Sequence, residues 1–200
     1  MATMIPRTRA PLFNLPNQLT TSRLVLAVVL FVLIAWELWL WALAVFLLAA
    51  FTDWLDGYLA RLNKQTSAFG RLLDPLVDKV LICGAFIFLL PYGSRPGENW
   101  LTPWMVVVVV SREFIITGLR SFLETLGVQF GADWLGKIKM TLQCAALIAI
   151  FATLYPPLER FALLRAFLVW AMLVATILSG LQYLWRAAVI LRSEKLKSDE

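Results

Sequence analysis

Residues 53–78 read DWLDGYLARLNKQTSAFGRLLDPLVD, four aspartates set between long apolar runs. LVLAVVLFVLIAWELWLWALAVFLLAAFT precedes them and KVLICGAFIFLL follows. A charged side chain at the centre of a bilayer costs about 2.5–3.5 kcal/mol even on the mildest insertion scales, so the fold depends on what these carboxylates are for. The chain has 200 residues, 60% hydrophobic and 16% charged, where soluble proteins average about 45–50% and about 25%. That composition predicts a membrane protein, and about 20 apolar residues make one span.

Six stretches are long enough: Leu19–Trp36, Leu38–Tyr58, Phe69–Pro91, Leu101–Leu119, Trp134–Tyr155 and Phe161–Trp185. The expected fold is all-α, a polytopic bundle of six transmembrane helices. No small-residue cleavage site follows the first apolar run, so a removable leader is not expected. Lys and Arg concentrate on one side: Arg7 and Arg9; Arg61, Lys64 and Arg71; Arg120, Lys137 and Lys139; Arg186, Arg192, Lys195 and Lys197. By the positive-inside rule both termini are cytoplasmic. The net charge of +5 then describes a face attracted to anionic headgroups, and nucleic acid is not an expected partner.

Residues 1–13 form an N-terminal extension, 14–190 the membrane domain, and 191–200 a charged tail expected to fray. Asn17 or Thr20 is placed to cap the first helix. PYGSRPGENW at 91–100 is a turn cluster, and Trp36, Trp39, Trp41, Trp100 and Trp104 are expected to form an aromatic belt at the outer interface. Cys83 and Cys144 read as apolar fillers. The chain has no histidine, which removes Ser-His and Cys-His nucleophiles and His-ligated zinc.

On a helix, Asp53, Asp56, Gly57 and Ala60 share one face, and so do Gly70, Asp74 and Asp78. Two antiparallel helices joined by the polar turn 63–67 bring four carboxylates together, and the small residues between them leave room for close approach or for a ligand. Four such anions need cations. Carboxylate ligands without His or Cys favour hard ions, Mg2+ or Mn2+, and four of them suit a two-metal site that clamps the attacking and leaving oxygens of a displacement at phosphorus. Two other readings stay open: interfacial carboxylates paired with Arg61, Lys64, Arg71 and Lys79, and a proton or cation pathway. The pathway predicts acids spread over several helices, whereas the other spans offer only Glu113 and Glu124.

The pattern Asp53-x2-Asp56-Gly57-x2-Ala60-Arg61-x8-Gly70-x3-Asp74-x3-Asp78 resembles the signature of the CDP-alcohol phosphotransferase family at each of its eight fixed positions. The resemblance implies a six-helix membrane enzyme, usually a homodimer, that transfers a substituted phosphate from a CDP-alcohol to a hydroxyl and releases CMP. It implies that Asp53, Asp56, Asp74 and Asp78 hold two divalent cations and that Asp78 is the general base. It also implies that Asp56, Gly57, Ala60, Arg61 and Gly70 lie along the CDP site. With no histidine in the chain, a carboxylate is the best available base.

SREFIITGLR contains Arg112 and Arg120, eight apart and roughly on one helical face, and LGKIKMTLQ contains Lys137 and Lys139. A cationic cluster suits a phosphorylated acceptor, although Arg120, Lys137 and Lys139 also fit ordinary positive-inside anchoring. Five segments, from NLPNQLTTSR at 14–23 to LGKIKMTLQ, are similar in the same order to bacterial family members whose substrates are CDP-diacylglycerol and sn-glycerol 3-phosphate. That similarity implies that Arg112, Arg120, Lys137 and Lys139 bind the acceptor phosphate and that Asn17, Thr20 and Arg23 border the nucleotide. It implies a multi-pass protein of the bacterial inner membrane with its site facing the cytoplasm. The alternatives are a relative using serine, inositol phosphate or phosphatidylglycerol as acceptor, a carboxylate-lined transporter, and a catalytically silent scaffold.

Overall fold

The computed structural model describes residues 15–63, 68–95, 97–125 and 134–198. The expected extension 1–13 and residues 64–67 of the polar turn lie outside them, as do the side chains of residues 15–20, 53–75, 78 and 193–198. The described chain is all-helical: α1 Leu15–Ala35, α2 Trp39–Asn63, α3 Ala68–Gly93, α4 Pro103–Thr125, α5 Trp134–Leu154 and α6 Ala162–Ser198, with a 3-10 turn at Pro156–Phe161 before α6. Helix α1 packs on α2 and α3, α4 on α3 and α6, and α5 on α2 and α6.

Trp134–Leu154 and Pro156–Arg192 are long and apolar enough to cross a membrane, and Thr21–Ala35, Trp39–Thr52 and Lys79–Gly93 are shorter apolar helices. The exterior is apolar as well: Leu163 is 86% exposed and Phe167 68%. In water such a surface would associate; against lipid it is satisfied, and the chain is a membrane protein. With 37 residues, α6 runs about 55 Å at 1.5 Å per residue, well beyond a hydrocarbon core of about 30 Å. Helix therefore continues to Ser198 through residues expected to fray, because Leu, Arg, Glu and Lys are good helix formers. At the other end of the chain, α1 already begins at Leu15 with Pro16 in its first turn, where a missing N–H costs nothing. Asn17 and Thr20 thus lie inside the helix and do not cap it.

One end of the bundle is fastened by loops. The α1–α2 turn closes through Glu37 at φ 59°, with Glu37 N–H donating to the Ile34 carbonyl and Leu38 N–H to that of Leu33, both at 2.9 Å. The Tyr92 hydroxyl donates to the Ile34 carbonyl at 3.2 Å, and Ser94 Oγ to that of Leu101 at 2.7 Å. Trp36, Trp41 and Trp104 face outward here, as a belt requires. Trp39 and Trp100 do not: Trp39 stands edge-on to Tyr92 at 4.7 Å, and Trp100 is buried under the Arg165 guanidinium at 4.4 Å. Both rings fill space between helix ends, which outweighs their preference for the interface.

The core is a column of Leu30, Ile34, Phe46, Phe86, Leu89, Leu147, Phe151 and Met172. Between helices in lipid the gain comes from close packing, since the tails outside are equally apolar. Cys83 is buried, Cys144 is partly so, and both are free thiols, in keeping with fillers. Gly84 marks a close α1–α3 contact, where a Cβ would lie 2.2 Å from Phe31 Cζ in a ring stacked on Phe88 at 4.8 Å. Gly84→Ala is expected to destabilise the protein by about 1–3 kcal/mol, the usual cost of overpacking. Adding Phe31→Leu should recover much of that loss, and thermal unfolding of the two variants in detergent measures both effects.

Candidate functional site

Asp53, Asp56, Gly57, Ala60 and Arg61 fall on α2, and Gly70, Asp74 and Asp78 on α3. Both segments are helical, so the spacing of three and four residues that groups each set on one face applies to the backbone. These side chains, like those of Asn17 and Thr20, lie outside the described residues. Among the described residues no group of three or more Cys, Asp or Glu is placed to hold a metal.

Immediately after Asp78 the described site begins. Lys79, Arg112, Glu113, Arg120, Lys137 and Tyr183 are among the residues lining a cavity of about 290 Å³, at the end of the bundle away from the Tyr92 and Trp100 loops. Arg112 and Arg120 reach it from α4, Lys137 from the first turn of α5, and Tyr183 from α6. Arg112 is held from two sides, its Nη2 donating to Ser179 Oγ at 3.0 Å and its Nη1 to Glu113 Oε1 at 3.4 Å. Gly180 lets α6 pass close to it, since a Cβ there would sit 3.2 Å from Arg112 Cγ. Arg120 donates from Nε and Nη2 to the Tyr183 hydroxyl at 3.2 and 2.7 Å. These anchors fix two planar guanidinium groups, the geometry that suits bidentate contact with a phosphate.

Lys139 takes a different place from Lys137. Residues two apart on a helix do not share a face, and the Lys139 ammonium turns inward to pair with Glu113 Oε1. Gln143 Nε2 donates to that same oxygen at 3.3 Å. Lys139 is buried and is not among the residues lining the cavity. Arg23 is likewise buried, in α1, and does not line it. An isolated carboxylate here would be strongly penalised, and removing one partner of a buried pair typically costs about 3–5 kcal/mol. The structure therefore brings Arg112, Arg120 and Lys137 to one cavity and sets Lys139 behind it. Lys79, Tyr183 and Ser179 join the site in addition to the residues that the sequence pattern points to. Lys79 had a signal in its position next to Asp78, whereas Tyr183 and Ser179 are ordinary members of an apolar helix.

The family model described as CDP-alcohol phosphatidyltransferase matches residues 13–190. A CDP-diacylglycerol–glycerol-3-phosphate 3-phosphatidyltransferase of Bacillus subtilis is 35% identical over 194 residues, covering 86% of this chain and 94% of the relative. The protein of the same name from Pectobacterium atrosepticum is 36% identical over 151 residues, covering 72% of this chain and 79% of its own length. Among solved structures, Mycobacterium tuberculosis phosphatidylinositol phosphate synthase in complex with manganese and citrate superposes with a TM-score of 0.63. It is 18% identical, with 86% of this chain and 79% of that one covered, and so speaks for the fold. A family model spanning nearly the whole chain, together with relatives above 30% identity, makes this protein a member of the CDP-alcohol phosphatidyltransferase family.

Proposed function

We propose that the protein transfers the phosphatidyl group of CDP-diacylglycerol to sn-glycerol 3-phosphate, giving phosphatidylglycerophosphate and CMP. Relatives of that name cover most of the chain. The observation that carries the acceptor is the group of Arg112, Arg120 and Lys137 around one cavity, beside the Asp78–Lys79 step of α3. A phosphomonoester carries about 1.5–2 negative charges near neutral pH, which three cations on rigid helices match and a neutral alcohol does not.

In the proposed reaction these cations seat the acceptor phosphate, and Lys139 supports them from behind through Glu113. Asp78 takes the proton of the acceptor hydroxyl, whose oxygen attacks the lipid-side phosphorus. The bond from that phosphorus to the bridging pyrophosphate oxygen breaks, and CMP leaves with that oxygen, so no covalent enzyme intermediate is needed. The CDP moiety lies along Asp56, Gly57, Ala60, Arg61 and Gly70, bordered by Asn17, Thr20 and Arg23. The donor set at Asp53, Asp56, Asp74 and Asp78 is all carboxylate, which fits hard divalent ions, and the fold neighbour's manganese supports that class. Two such ions, Mg2+ or Mn2+, would neutralise the pyrophosphate and the departing CMP.

The proposed setting is the bacterial inner membrane, with six spans, both termini in the cytoplasm and the site on that side. The basic residues at the cavity end support this orientation. The family resemblance supports a homodimer.

Purified protein in detergent should release CMP from CDP-diacylglycerol only when sn-glycerol 3-phosphate is present. Asp78→Asn should lower kcat by about 10²–10⁴-fold, the usual worth of a general base, in protein that remains folded. CMP formed with inositol phosphate and not with glycerol 3-phosphate would move the acceptor and keep the family. No CMP with any alcohol would overturn the proposal. Chelation of divalent ions should abolish turnover, with Mg2+ or Mn2+ restoring it.

A further inference from the structure

Glu113 is an acid buried in a helical membrane bundle, on the wall of a cavity whose other charged lining residues, among those described, are cations. Its Oε1 receives three donors, Lys139 Nζ from α5, Gln143 Nε2 from α5 and Arg112 Nη1 from its own helix. The last contact is unusual, because successive residues on a helix diverge by about 100°. Arg112 must fold back along the helix to reach Glu113, and it does so while its other nitrogen is held by Ser179 and its stem lies against the bare backbone of Gly180. Its guanidinium is thereby pinned between α4 and α6 at the cavity wall. Lys139 touches Glu113 and does not line the cavity.

We infer that Glu113 is a positioning residue for the acceptor. Its carboxylate, held by Lys139 and Gln143, fixes the Arg112 guanidinium where it meets the acceptor phosphate, and Lys139 acts through Glu113 with no contact of its own to the acceptor. The inference rests on the acceptor reading above. It reassigns one of the four cations grouped in the sequence from ligand to support.

The test is steady-state CMP release by the full chain in mixed micelles, varying each substrate in turn. Glu113→Gln should raise KM for sn-glycerol 3-phosphate by about tenfold or more, the worth of a charge-assisted contact. KM for CDP-diacylglycerol and kcat should stay within about twofold, as expected when only acceptor binding is lost. Ser179→Ala, which removes the other anchor of Arg112, should shift the same constant in the same direction. The double variant Glu113→Gln/Lys139→Gln removes both members of the buried pair, and its acceptor KM should equal that of Glu113→Gln alone. If Glu113→Gln does not fold, the double variant is read against Ser179→Ala, which loosens Arg112 alone: a rise in acceptor KM no larger than that of Ser179→Ala supports the inference, and a wild-type value or a rise about tenfold larger overturns it. A further rise of about tenfold on adding Lys139→Gln would mean a direct phosphate contact and would also overturn it. Equal changes in both KM values, or a loss confined to kcat, would do the same. Wild-type protein inactive with glycerol 3-phosphate would instead sink the acceptor reading.

Discussion

The buried contact between the Glu113 carboxylate and the Lys139 ammonium ties α4 to α5 where the bundle carries its polar interior. Neither group has bulk water to fall back on, so each depends on the other, and Gln143 and Arg112 supply the remaining donors. Arg112 then reaches across to Ser179 on α6. Through one carboxylate three helices are held in register, and that register places Arg112, Arg120 and Lys137 around the same cavity. Hydrophobic residues of similar volume often replace a buried ion pair without loss, since such pairs add little net stability. What the pair adds is direction: it decides which way a cation next to the cavity points.

Most of the fold was legible in the sequence because the bilayer imposes it. A run of about 20 apolar residues has one low-energy answer in lipid, a helix with all its backbone bonds made internally, and the six expected spans correspond to six helices. The details that differed are those in which packing outweighs a local preference, such as Trp100 drawn under Arg165 or α1 starting before its supposed caps. At the site, the eight-residue spacing of Arg112 and Arg120 put them roughly on one helical face, and both line the cavity. The two-residue spacing of Lys137 and Lys139 contained their separation too, but a shared charge made them look equivalent. Tyr183 and Ser179 had no sequence signal, because their role comes from where α6 crosses α4, a tertiary fact that no local pattern encodes.

The two ends of the bundle treat charge differently, and the difference bears on function. At the loop end each basic residue with a described carboxylate partner is matched singly: Arg95 meets Glu37 at 3.4 Å and Arg165 meets Glu98 at 3.1 Å. The first pair is more than half exposed on both sides and contributes little. The second also lays its guanidinium on Trp100, and both serve to fasten loops. At the cavity end the balance is broken. Among the described residues lining the cavity Glu113 is the one carboxylate, and it is already engaged by Lys139 from behind. Among the described lining residues, Lys79, Arg112, Arg120 and Lys137 thus outnumber the carboxylates, in a setting where uncompensated charge is costly. A doubly charged phosphate monoester would offset that excess. On the proposed reading, that excess of cations is what favours a phosphorylated acceptor over a neutral one.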